Sequence, residues 1–289
     1  MRKILIAAGI ITSFSACKEH ANLGVILSNT GQALSDTTYV AAVEAVSAKK
    51  VVVEEFTGAS CPNCPDARTM LANISAANDG KVLSIELHPN EIPQGRPISG
   101  VSKYDFTNTH VSDIISQFYP GLGSIPMAGI DRVPDNTGIA LDRTKWASAI
   151  TSRLGVKSVA NLNLTNNYDD SKREGVITVK VAYTSDVPSK QYITLAIMES
   201  NIEDAQEYTD HRDDHYIFKD VFRTTATPVS GTAILDSIAV KSKGRVYRGQ
   251  FKYTIDPAWK PENCQVVVFL HNNDATSKEI LQAEEINVK

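Results

Sequence analysis

The chain has 289 residues, with 29 basic and 33 acidic side chains for a net charge of −4, and 42% of it is hydrophobic. That is enough apolar content for a sizeable core, while a mildly acidic balance without a basic block argues against nucleic acid or an anionic membrane face as partner. Four cysteines are too few for a disulfide scaffold.

The first element is "MRKILIAAGIITSFSAC": two basic residues, an apolar run and small residues ahead of Cys17. This is the pattern of a secretory signal, too short to span a bilayer as a stable helix, and no later segment reads as a transmembrane helix. It resembles a bacterial lipoprotein signal, with Phe14 where that motif usually has Leu; an ordinary signal peptide with an incidental cysteine is the alternative. The resemblance implies cleavage after residue 16, acylation of Cys17, and attachment to the membrane through that lipid. Lys18 follows, which in lipoprotein sorting implies outer-membrane delivery, on the periplasmic face or the cell surface. Loss of Arg2 and Lys3 makes the mature body more acidic. In this oxidising compartment disulfides persist. Residues 17–47 read as a tether in which "YVAAVEAV" is a candidate edge strand.

"KKVVVEEF", 49–56, places three β-branched residues in a row and predicts a buried strand. Thr57 and Gly58 make a turn, and Cys61-Pro62-Asn63-Cys64 follows. A pair so spaced can hold a metal, staple a fold or exchange disulfides. With Cys17 acylated, Cys61, Cys64 and Cys264 remain, which is no staple framework. A structural zinc site needs four ligands, and no second Cys or His pair stands nearby, so no metal is expected. Redox exchange remains. After Cys64, Ala67, Leu71 and Ile74 recur at helical spacing, and Pro65 and Asp66 suit a first helical turn. A helix N-terminus stabilises a thiolate through its free N–H groups and dipole.

"KVLSIEL", 81–87, supplies a parallel strand within a βαβ-length unit. "HVSDIISQFY" puts Val111, Ile114, Ile115 and Phe118 on one helix face, and "PGLGSIPMAGIDR" follows. A further helix, "DRTKWASAITSRLG", has Asp142 as N-cap and Gly155 as its stop. The order of helix, glycine-containing turn, aliphatic residue and proline resembles thioredoxin-like proteins, where a cis-proline lies beside the cysteine pair; Ile125-Pro126 fits. The wording "VVVEEFTGASCPNCP", joined to a lipoprotein signal and a β-rich second half, resembles the 28-kilodalton outer-membrane lipoprotein family. That resemblance implies architecture and location, and an adhesin-like or surface role.

Carried over, the thioredoxin resemblance makes Cys61 the exposed nucleophile and Cys64 the resolving cysteine. Glu55 stands where a buried acid shuttles the resolving cysteine's proton; of Glu54 and Glu55, neighbours on opposite strand faces, one must point inward. Pro126 would keep metal from the thiols, and with Ile125, Pro62 and Asn63 would meet an extended substrate. Pro65 removes an N–H, so the helix starts at Cys64 and leaves Cys61 less well placed on its dipole. Asn63 brings no charge to a thiolate. "HPNEIPQGRPISGVSKYDF", 88–106, is an insertion that either shapes a binding site or merely elaborates the surface.

The second half reads as strands: "EGVITVKVAYT", "KQYITLAIM", "GTAILDSIAV", "RVYRGQFKYTI", "CQVVVFLH" and "EILQAEEINV", a number and length that suggest an immunoglobulin-like β-sandwich. Cys264 reads as a small buried apolar residue. In "DHRDDHYIF", His211 and His215 share a face on a helix but lie roughly 13 Å apart on a strand, too far for one ion; a polar loop between domains is the expectation. The sequence thus predicts an α/β thioredoxin-like domain over 48–155, with a central mixed sheet flanked by helices, and an all-β immunoglobulin-like sandwich over 156–289. Two functions follow. One is thiol–disulfide exchange, without cofactor, on exported or surface proteins. The other is a binding lipoprotein in which Cys61–Cys64 is an inert disulfide.

Overall fold

The computed structural model describes residues 33–289; Cys17, the signal and the start of the tether lie outside the described residues. Val51, Val52 and Val53, whose branched Cβ atoms favour extended backbone, open β2 (Val51–Phe56), buried along its whole length. α1 (Cys64–Ala76) crosses over to β3 (Val82–Leu87), which lies parallel to β2 with Glu55 opposite Glu86. α2 (Thr109–Phe118) starts where the Asn108 side chain accepts from the Val111 amide at 3.1 Å. β4 (Met127–Ile130) then runs antiparallel to β2, with Met127 opposite Phe56. After β5 (Leu141–Asp142), α3 (Arg143–Leu154) is capped by Asp142, which accepts from the Thr144 amide at 2.9 Å.

The alternation of β2 sorts the core. Val51 and Val53 pack with Ala67 and Leu71 of α1 and Trp146 and Ile150 of α3. Val52 and Phe56 face the other way, onto Val111, Ile114 and Phe118 of α2.

The second half supplies β6 (Ala160–Asp169), β7 (Glu174–Tyr183), β8 (Gln191–Glu199), β9 (Ile202–Glu207), β10 (Arg212–Phe218), β11 (Val221–Thr225), β12 (Thr232–Ile234), β13 (Arg245–Thr254), β14 (Cys264–Asn272) and β15 (Ile280–Asn287). β13, β7 and β6 form one antiparallel sheet, edged by β1 (Ser35–Val40), in which the tether's Tyr39 and Val40 end the strand. β9 and β10 make a separate hairpin. Everything else joins a nine-stranded sheet in the order β15-β14-β8-β11-β3-β2-β4-β5, with β12 also on β8.

This corrects the expected fold class. Among the described residues fifteen strands stand against three α-helices, and no helix-flanked α/β thioredoxin-like fold is formed. The physical reason lies at β3. Its outer edge, which a self-contained sheet would leave open, is taken by β11: Val221 pairs in parallel with Glu86, and the Glu86 amide donates to the Asp220 carbonyl at 2.8 Å. The sheet therefore continues into β8, β14 and β15. One core accordingly joins Val52, Leu83 and Ile85 to Ala196, Met198, Val267 and Phe269. The four-stranded sheet packs Ile177, Val179, Val181 and Phe251 onto the same β8 and β14 through Ile193, Leu195, Val266 and Val268. The second layer that a free-standing sandwich would need is thus the shared sheet itself.

Candidate functional site

Cys61 and Cys64 are joined by a disulfide with Cα atoms 5.4 Å apart, and both are buried, Cys61 to 1% exposure. Helix α1 begins at Cys64, with Asn63 at the N-cap and Pro65 in the first turn. No side chain caps this helix end, and Asp66 stands in its first turn, so the free N–H groups at its positive pole face the cysteine loop with one carboxylate nearby. The loop is tight: the Cys61 amide donates to the Gly58 carbonyl and the Cys64 amide to the Cys61 carbonyl, each at 3.2 Å. Gly58 must be glycine because a Cβ there would lie 2.1 Å from the Gln94 carbonyl oxygen. The insertion 88–106 is thereby pressed directly against the turn that carries the cysteines.

The hairpin β9–β10 closes the loop from another side. The Glu207 amide donates to the Ala59 carbonyl at 2.9 Å. The buried Gln206 amide nitrogen lies 3.1 Å from the Ala59 and Cys61 carbonyls, and its oxygen accepts from Arg68 at 2.8 Å. Hairpin and insertion are themselves tied: both Asp204 carboxylate oxygens accept backbone amides, from Lys103 at 2.8 Å and Tyr104 at 2.9 Å. Phe106, Ile202, Phe218 and Ala59 form a small apolar core between them. The nucleophile expected to be exposed is therefore covered. Pro62 is half-buried and Asn63 is exposed.

Glu54 and Glu55 are both buried, on opposite faces of β2. Glu54, on the α2 side, accepts from Arg132 through two nitrogens at 2.6 and 2.8 Å and from the Tyr119 hydroxyl. Glu55 faces α1, and neither of its carboxyl oxygens has a hydrogen-bond partner in the protein. Burial pushes its carboxyl up to about 7, against the pull of the Arg68 guanidinium. Glu86, beside it on β3, is also raised by burial; Arg68 Nε lies 3.3 Å from one of its oxygens. His88 follows on the same side, its Nε2 4.0 Å from Glu86, and burial holds it neutral.

The Ile125-Pro126 bond is cis. Because Met127 pairs with Phe56, the register sets Pro126 level with Thr57, at the end of β2 that leads to the cysteines. Ile125 packs on the α2 face. His211 and His215 lie at the hairpin, not in a loop between domains: His211 stacks on Tyr208 and His215 meets Glu203 at 3.1 Å. Cys264 is buried at the start of β14, its thiol pushed up to about 12 by burial. A cleft of about 330 Å³ between residues 46–49, Asn78, Lys81, Leu154 and 156–158 lies at the far end of α1 and holds none of the predicted residues.

Sequence reasoning missed Arg68, Glu86 and Gln206. Two of them left a trace. Arg68 stands four residues after Cys64, on the same helix face, and Glu86 shares the strand face of Ser84 and His88 by alternation. Gln206 left none, because its contact spans 145 residues.

No curated protein matches this sequence. Among solved structures, HBP35 of Porphyromonas gingivalis superposes with a TM-score of 0.65 at 15% identity, over 84% of this chain and 76% of that one. Protein AGR_C_4864 from Agrobacterium tumefaciens gives 0.50 at 13% identity, over 85% and 97%. At such identities the likeness is one of fold. No helix among the described residues is long and apolar enough to cross a membrane. The family model for outer membrane protein Omp28 matches residues 115–289, well over half of the sequence, and the chain belongs to that outer membrane protein family.

Proposed function

We propose that Cys61 and Cys64 carry out thiol–disulfide exchange on exported or surface proteins at the outer membrane, on a body tethered by a lipid at Cys17. The observation that carries this reading is the disulfide at an uncapped helix N-terminus with the unpartnered carboxyl of Glu55 buried on the same side. In the reduced pair, a Cys61 thiolate attacks a substrate disulfide. The substrate S–S bond breaks, and its departing sulfur takes up a proton. Cys64 then gives its thiol proton to Glu55 and attacks the Cys61 sulfur. The Cys61–Cys64 bond re-forms, the second substrate thiolate leaves, and the substrate is reduced as the pair is oxidised. A dithiol protein running the sequence in reverse regenerates the pair.

A second reading is favoured by the 1% exposure of Cys61 beneath the hairpin: a surface binding protein in which the disulfide is inert. Equilibration of the purified chain in graded glutathione buffers, with alkylated thiols counted by mass, separates the two. Exchange expects a midpoint at roughly −120 to −270 mV, the range of known exchangers. A pair still oxidised under strong reductant leaves the binding reading.

A further inference from the structure

The site holds a feature that exchange by Glu55 alone does not use. Glu55 and Glu86 are Cα partners in a parallel ladder, so their side chains leave the same face of adjacent strands about 4.8 Å apart. Both are buried, both Glu55 oxygens and one Glu86 oxygen lack a hydrogen-bond partner, and a single guanidinium, Arg68, serves the two. Two carboxylates beside one cation in a dry interior would leave a net buried charge. One retained proton makes the cluster neutral.

Resting on the exchange reading, we infer that Glu86 is a positioning residue: with Arg68 it makes Glu55 half of a carboxyl pair that keeps one proton in store for Cys64. The groups that face the pair are few. Arg68 comes from α1, Tyr216 from β10, Asp220 precedes β11 and Arg223 lies on it, and these act on the pair or on its immediate partners; His88, which follows β3, lies 4.0 Å from Glu86. Of these, Asp220 opposes ionisation of the pair, as burial does, while Arg68 favours it. His88 is held neutral by burial, with Arg68 and Arg223 pressing the same way. Arg68 also donates to Gln206, whose amide reaches the Cys61 carbonyl. The cation that tunes the pair is thus fastened to the loop that carries the disulfide. When the disulfide is reduced the stored proton passes to the departing Cys64 sulfur, and during resolution the Cys64 thiol returns it to the pair; no other group need gain or lose charge.

The test is a carboxyl titration by carbon NMR on the purified oxidised chain labelled in glutamate. Wild type is expected to show a carboxyl step near neutrality. Glu55→Gln removes it. Glu86→Gln frees Arg68 for Glu55 and moves the step down by about one pH unit or more, and Arg68→Met moves it up. Glu86→Asp, which keeps the charge, restores it toward wild type. In the reduced protein the pH at which Cys64 resolves a mixed disulfide shifts in the same two directions. Opposite shifts from Glu86 and Arg68 are not what mere loss of packing gives. A wild-type chain with no carboxyl titrating above about pH 6, or a Glu86→Gln step that stays in place, overturns the pair. The glutathione equilibration fails separately: a pair that titrates beside cysteines that never cycle overturns its role in exchange and the exchange reading together. Cycling cysteines without the step overturn the pair alone.

Discussion

Glu54 and Glu55 are neighbours in the chain with opposite fates. Arg132 and Tyr119 satisfy the first; the second is left without a hydrogen bond. The fold therefore prefers Glu55 protonated. Its carboxyl is raised from 4.5 to about 7, so the stability tied to its proton is complete below pH 4.5 and drains as pH rises through 7. Glu55→Gln is expected to stabilise the protein at pH 8 by up to about 3 kcal/mol and to change little at pH 4, while slowing exchange. Urea unfolding at the two pH values reads this; an equal effect at both contradicts it. His271 gives the opposite slope. It is fully buried against Thr194, and desolvation lowers it from 6.5 to about 3. Below pH 6.5 the unfolded chain binds a proton that the fold refuses, so stability falls on acidification at about 1.4 kcal/mol per pH unit. His271→Gln is expected to flatten that slope, as seen in melting curves between pH 6.5 and 4.

At the scale of elements, the hairpin decides access to the disulfide. It belongs to neither large sheet and is held over the loop by Gln206, Glu207 and the Asp204 bridge to the insertion. Asp204→Asn weakens two charge-assisted hydrogen bonds that closure makes. Each 1.4 kcal/mol taken from closure is about a tenfold gain in the open fraction. Reduction of Cys61–Cys64 by dithiothreitol is therefore expected to quicken about tenfold, and an unchanged rate would mean that the cover does not gate the thiols. Much of this element structure was legible: β2, α1, β3, α2 and α3 sit where valine runs, helical spacing and capping residues put them. β7, β13 and β14 follow their alternation likewise. β9 was not, because "IEDAQE" offers a strand only two apolar positions, and its burial comes from Gln206 and Asp204 bonding to distant backbone. The same limit hid the site. Cys61, Cys64 and Glu55 announced themselves by local spacing, whereas Arg68, Glu86 and Gln206 matter only through partners that the sheet brings together.

At the scale of the whole molecule, the boundary near residue 155 that composition suggests runs through a shared sheet. β11 completes β3 and β8 continues the sheet beyond it, and the apolar faces of both halves meet in one core. The region matched to the outer membrane protein family begins at residue 115, inside α2, and so omits β2 and β3 from the middle of the sheet. The chain is expected to unfold in a single calorimetric transition, and residues 156–289 made alone to show none, since the open edge of β11 and the bared face of Ala196, Met198 and Val267 have no substitute. Two separated transitions would contradict the shared core.

The place of the hairpin in the chain sets a clock. Cys61, Cys64 and the strands that flank them are complete by residue 87, but the segment that seals them from that side begins only at residue 202. A polypeptide made from its N-terminus therefore presents both sulfurs before the residues that cover them from that side have been added. Added thiol reagents are expected to reach the two sulfurs most readily in that interval, which the arrival of Gln206 closes. Cover from the hairpin is thus the late event in the order of synthesis, and the cysteine pair the early one.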